Sequence, residues 1–182
     1  GLRRCPVSGR AHLQRVARET EAIVEAGGYR AGGTGRWVDV SEAVAAAREG
    51  SHMHLPGEPL GPAPAARAAV APIEVTGETT LEAARRLHAA AGGAGGDSAG
   101  GRTVACLNFA SARHPGGGWR SGARAQEESL ARASALATCL ESVPEYYAFH
   151  DDQRHPLYSD RVICSPAVPV FRDDAGALLD EP

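Results

Sequence analysis

Three consecutive glycines, Gly116, Gly117 and Gly118, are followed after seven residues by Gln126, Glu127 and Glu128. No other feature of the sequence constrains the fold as tightly. Residues without side chains let the main chain approach a neighbour closely and reach φ values that other residues avoid. Main-chain N–H groups in such loops bind anions, above all near a helix N-terminus, and Arg113, Arg120 and Arg124 add positive charge nearby. A plain turn is the other reading of the triplet. Glu127 and Glu128 open a predicted helix, where the helix dipole favours acids whatever else they do. The same placement gives chemistry: a phosphate-friendly loop beside two carboxyl groups can hold a phosphorylated sugar with its anomeric carbon at one of them. Glycosidic bonds are cleaved by carboxyl groups acting as acid, base or nucleophile.

The surrounding pattern alternates strands and helices. Residues 11–26 read as a helix with Leu13, Val16, Ala17, Thr20, Ile23 and Val24 on one face, ended by Gly27 and Gly28. Residues 29–40 are irregular and then extended, and Ser41 caps a short helix through Arg48. Residues 50–65 form a Pro/Gly-rich loop, and residues 69–75 a strand. Thr79 and Glu82 make a capping box for a helix over about 80–91. Residues 92–101, GGAGGDSAGG, read as a flexible connection. The apolar run 103–109 suits a buried strand, and residues 127–143 a helix with Leu130, Ala133, Ala137 and Leu140 inward. Residues 161–164 and 167–171 read as further strand segments. The expectation is an α/β layered domain with the glycine triplet at a strand end, where ligands bind in open α/β sheets.

The 182 residues fit one domain. A net charge of -3 does not suggest a nucleic-acid binder. All 19 basic residues are arginine, which favours fork-shaped contacts to anions. Cys5, Cys106, Cys139 and Cys164 are scattered without a C-x-x-C pair and read as small core residues. With cysteines so scattered a reducing cytoplasm is the expected setting, and neither a secretory leader nor a bilayer-spanning apolar run is expected. No acid or cysteine completes a metal site near His52 and His54, which read as solvated loop residues, not metal ligands. GDSAGG departs from the GDSGG of chymotrypsin-like proteases through Ala99. Gly118 to Gly122 is one residue too long for a hydrolase elbow. Residues 32–35 lack dinucleotide-fold spacing.

The combination GGG, seven residues, QEE resembles the signature of the poly(ADP-ribose) glycohydrolases. LNFASARHPGGGWRSGARAQEESLARAS, residues 107–134, is similar throughout to the bacterial-type branch of that family. ARETEAIVEAGGY and YSDRVICSPAVPVFRDDAGALLDEP resemble its N-terminal helical segment and the strand region after the signature helix. The resemblance implies a three-layer α/β/α macrodomain with a mixed central sheet. Its N-terminal helical part would cover about 1–50 and its catalytic core about 66–182. The family pattern continues beyond Pro182, so an incomplete domain is expected. The implied activity is hydrolysis of ribose–ribose bonds, releasing ADP-ribose, without cofactor or metal. The implied partners are poly(ADP-ribose) or ADP-ribosylated protein, with no membrane and no specific nucleic acid. By position Glu128 resembles the catalytic acid and Glu127 the group that holds ribose hydroxyls. Gly116, Gly117 and Gly118 would line the diphosphate and the reacting ribose. Asn108 and Ser111 fall on the polar positions before the loop, and Gln126 supports it. A hydrolase of single ADP-ribose groups and a non-catalytic ADP-ribose reader are the alternatives; the intact acid pair favours an enzyme over a reader.

Overall fold

The structure, a computed structural model, describes residues 9–59, 72–91, 103–153 and 157–182. The expected linker at 92–101 and Cys5 lie outside the described residues. Helix α1 (Arg10–Ala26) buries Ala17, Thr20 and Ile23, the predicted face, and stops at Gly27, whose φ of 70° is left-handed. A two-stranded antiparallel sheet follows, β1 (Gly28–Arg30) with β2 (Trp37–Asp39). Helix α2 (Ser41–Gly50) starts differently from expectation. Ser41 is its first residue, and Asp39 Oδ1 accepts both its N–H at 2.9 Å and its hydroxyl at 2.6 Å. The carboxylate therefore does the work expected of the serine.

The segment after α2 is not all loop. β3 (His52–His54) pairs antiparallel with β4 (Val162–Cys164), which lies more than a hundred residues away in the chain. Helix α3 (Thr80–Ala90) carries the predicted capping box: Thr79 Oγ1 accepts from Glu82 N, and Glu82 Oε2 accepts from Thr79 N. Its flank is corrected: residues 72–75 of the expected strand are not in a sheet, and Ile73 and Val75 are exposed, while 69–71 lie outside the described residues.

The run 103–109 lies in no helix or strand, and Leu107 and Phe109 are exposed. The single helix expected over 127–143 is two, α4 (Gln126–Ala133) and α5 (Leu136–Glu141). The cause is an intruding segment. Ser134 is fully extended and bridges Val170. Ala133 O accepts from Phe171 N at 2.7 Å, and Ala135 N donates to Pro169 O at 3.0 Å. Phe171 thereby reaches the centre of a core with Ile23, Tyr29, Val38, Val40, Val44 and Ala135. Residues 167–171 thus make an isolated bridge where a strand was expected. Helix α6 (Pro144–Asp151), not foreseen, begins with proline at its first position and buries Tyr146, Tyr147 and His150. Cys139 is buried as expected, but Cys106 and Cys164 are exposed. Among the described residues the class is mixed α/β with two small antiparallel sheets.

Candidate active site

The glycine triplet and the acids meet face to face. Ser111 Oγ accepts from the N–H groups of Arg113 and His114, turning the chain into the loop. Gly117 N then bonds His114 O at 2.8 Å. Gly116 and Gly117 have φ of 74° and 58°, so a side chain at either is strained. Space forbids one as well. A Cβ on Gly117 would lie 2.5 Å from Glu128 Oε1 and 3.0 Å from Glu127 Oε2, and one on Gly116 would lie 2.6 Å from Trp119 Cδ1. The triplet is glycine because it packs directly against two carboxylates and an indole. Trp119 anchors the far end of the loop, buried with Ala17, Ala131 and Ala137.

Both acids sit in the first turn of α4 and are buried, at 3% exposure for Glu127 and 9% for Glu128. Glu128 Oε1 accepts from Gly118 N at 3.0 Å, and Oε2 accepts from Ala125 N at 3.0 Å. Ala125 offers no side-chain acceptor in return, so only the glutamate half of a capping box is made. Glu127 Oε2 accepts from Ser111 N at 2.7 Å, while the buried Oε1 completes no hydrogen bond. Burial pushes the Glu127 carboxyl above the usual carboxylate range; the Ser111 N–H opposes this and the charge of Glu128 adds to it.

Asn108 approaches Glu127 closely enough to lower its proton affinity in part. Neither buried amide atom of Asn108 reaches hydrogen-bond geometry, so the contact is a near approach and no more. Ser111 meets the acid pair through its main-chain N–H. Gln126 bridges a would-be ladder: its Nε2 donates to Leu107 O at 2.7 Å and its Oε1 accepts from Phe109 N at 2.8 Å. It stands where a neighbouring strand would stand, which keeps Asn108 beside the acids.

Two features went unforeseen. Arg132 is buried at 5% exposure, donates to Trp119 O and Ala123 O, and puts its charge near Glu128 one turn away. The i,i+4 spacing of Glu128 and Arg132 was the available signal. Tyr147, also buried, is pushed upward by burial and by the charge of Glu127. The basic surround is weaker than expected, because Arg113 pairs with Asp151 and Arg120 with Glu21 and Glu141. A separate cavity, lined by Thr20, Val24, Trp119 and Thr138 among others, lies on the α1–α5 side and contains neither acid.

Residues 17–173 match the family model described as microbial-type PARG, catalytic domain. The crystal structure of poly(ADP-ribose) glycohydrolase from Thermomonospora curvata is 52% identical over 93% of this chain and 60% of that one, with a TM-score of 0.83. The same organism's enzyme bound to the inhibitor ADP-HPD is 50% identical over 93% and 58%, at 0.79. The Deinococcus radiodurans enzyme in complex with ADP-ribose is 40% identical over 76% of this chain and 54% of that one, at 0.60. The chain therefore spans about 60% of the length of the first of these relatives. No curated protein matches.

Proposed function

The chain belongs to the microbial-type PARG catalytic-domain family, and from that membership we propose that it hydrolyses the ribose–ribose bonds of poly(ADP-ribose) and releases ADP-ribose. The observation that carries the reading is the buried pair Glu127–Glu128, fastened by main-chain N–H groups against a glycine loop that no side chain can enter. Glu128, the more accessible of the two, is the general acid. It protonates the leaving ribose oxygen as the C–O bond breaks, and its carboxylate then takes a proton from the water that adds to the oxocarbenium-like carbon. Glu127, with one buried oxygen unengaged, holds ribose hydroxyls. Gly116, Gly117 and Gly118 line the diphosphate and the reacting ribose, with Asn108 and the Ser111 N–H behind them. Gln126 holds the preceding segment in place.

The wider reading is a three-layer macrodomain. It is supported by the family membership and by the mixed α/β class with small antiparallel sheets. We take about 1–50 as a helical extension and about 66–182 as catalytic core, in a reducing cytoplasm where the exposed Cys106 and Cys164 stay thiols. No helix among the described residues is long and apolar enough to cross a membrane.

The test is hydrolysis of poly(ADP-ribose) by Glu128→Gln and Glu127→Gln, with calorimetric binding of ADP-ribose alongside. Glu128→Gln should lose about 10²–10⁴-fold or more in turnover and keep affinity within a few-fold. Glu127→Gln should lose both. A second reading has the roles exchanged, favoured by the raised proton affinity and free oxygen of Glu127. A dead Glu127→Gln with an active Glu128→Gln would establish it. Two active variants overturn both. Comparing poly(ADP-ribose) with mono-ADP-ribosylated protein as substrate separates the two hydrolase classes.

A further inference from the structure

We propose that His52, His54 and Cys164 form a binding site for one zinc-class divalent cation, which clips β3 to β4. The sequence separates these residues, but the sheet register reunites them. His52 pairs with Cys164 and His54 with Val162 across the antiparallel ladder. Side chains alternate along a strand and paired residues share a face. His52, His54 and Cys164 therefore share one face and Met53 and Ile163 the other. Met53 and Ile163 pack inward on Ala112, Leu140, Val143, Tyr146 and Tyr147. The His/His/Cys face is the outer one, with His52 and Cys164 exposed and His54 half-buried.

One ring nitrogen of each histidine and the Cys164 Sγ lie within 4.8 Å of one another. His52 Nε2 and His54 Nε2 are 3.1 Å apart, with the rings inclined at 68°. Two nitrogens bound to one tetrahedral zinc at ordinary Zn–N lengths sit about 3.3 Å apart. Sγ is within 4.8 Å of the nitrogens against about 3.6 Å in a tetrahedral site, a gap of about 1.2 Å that a χ1 change on an exposed side chain covers. The tautomer is prepared too. His52 Nδ1 lies 2.8 Å from Gly50 O, a partner that can only accept. A neutral His52 therefore carries its proton on Nδ1 and turns the Nε2 lone pair to His54, whose own Nε2 proton an incoming ion displaces. A main-chain carbonyl holding the distal nitrogen is the usual arrangement around ligating histidines. Two imidazoles and a thiolate select zinc or cobalt over magnesium or calcium, and water fills the fourth position. The bound ion would stabilise the strand pair whose inner face supports Ala112, next to Ser111.

The experiment is titration of the whole chain with Co²⁺ and then Zn²⁺, in a Cys5→Ser, Cys106→Ser background. One equivalent of Co²⁺ should give the visible bands of a tetrahedral ion and a thiolate charge-transfer band, both abolished by Zn²⁺. Cys164→Ser should remove the charge-transfer band, and His54→Gln should weaken Zn²⁺ binding by more than about 10-fold, the scale on which even outer-shell partners act. Zn²⁺ should raise the Tm of the parent, and by less in either variant at the same concentration. Absence of a thiolate band, octahedral bands alone, or affinity unchanged in Cys164→Ser and His54→Gln overturns the assignment.

Discussion

Gly117→Ala is the sharpest perturbation of the loop. Two costs follow from the structure. A φ of 58° puts an alanine in the left-handed region, at about 1–2 kcal/mol. Its Cβ would also stand 2.5 Å from Glu128 Oε1, so the carboxylate must retreat by about 1 Å to reach ordinary contact. That retreat breaks its 3.0 Å bond from Gly118 N, worth about 1.5–3 kcal/mol for a charged acceptor. The sum is about 2.5–5 kcal/mol, or about 5–20 °C in Tm for a chain of this size. Displacing a catalytic group by about 1 Å also costs on the order of 10²-fold in rate. Gly35→Ala is the control. Its φ is 68° and a Cβ there meets nothing within 4 Å, so it carries the conformational cost alone. Thermal denaturation and poly(ADP-ribose) hydrolysis of both variants are the assays. If Gly117→Ala loses no more Tm than Gly35→Ala and keeps its rate within a few-fold, the glycine is not there to admit the carboxylates.

Gln126→Ala should cost about 1 kcal/mol or a little more, because water replaces its three side-chain bonds, to Leu107 O, Phe109 N and Thr80 Oγ1; amide exchange at Phe109 should quicken while that of Gly118 holds. Thr79→Ala should cost about 1 kcal/mol of α3 stability, read as faster exchange in residues 80–84 with little change elsewhere. Glu127→Gln should show a pH-dependent gain in stability. The folded protein binds the Glu127 proton more tightly than the unfolded chain does. That contribution is fully present below the ordinary glutamate range and is lost as pH rises through the raised folded value. The amide cannot ionise, so the Tm difference, variant minus wild type, should grow from acid pH to neutral; a flat difference refutes the raised carboxyl.

Local chemistry was legible in the sequence and long-range insertion was not. α1, its glycine stop and the Thr79–Glu82 box depend on residues a few positions apart, and they stand as read. The 127–143 periodicity is real, yet the helix breaks, because Phe171 enters the core and takes Ala133 O as its acceptor. Nothing within 127–143 encodes a partner forty residues on. The facing of GGG and QEE was readable, since glycine beside acids is a local statement about room. Which atoms would be used was not. Ser111 uses its N–H on Glu127 and its hydroxyl on the loop, and Arg132 turns inward from a position that looks like a solvated helix face. The His52–His54–Cys164 cluster failed to register for the same reason as Phe171: its third member arrives through strand pairing.

Two adjacent buried carboxylates repel each other and lose water, so something must hold them. Three main-chain donors do, and each comes from a different stretch: Ser111 on Glu127, Gly118 and Ala125 on Glu128. The N-terminal end of α4 and the charge of Arg132 act in the same direction. The acids therefore fasten the loop as much as the loop positions the acids, and fold and chemistry at this site cannot be perturbed separately by deletion to alanine. Amide substitutions come nearer, but unequally. A glutamine at 127 keeps the one acceptor that is used. A glutamine at 128 offers one acceptor oxygen to two N–H donors and turns its NH₂ toward the other. Some stability must fall in Glu128→Gln even if its proton transfer were irrelevant. Its rate loss counts as chemistry only to the extent that it exceeds what its own loss of stability explains, so its rate is measured well below the Tm that the same variant shows.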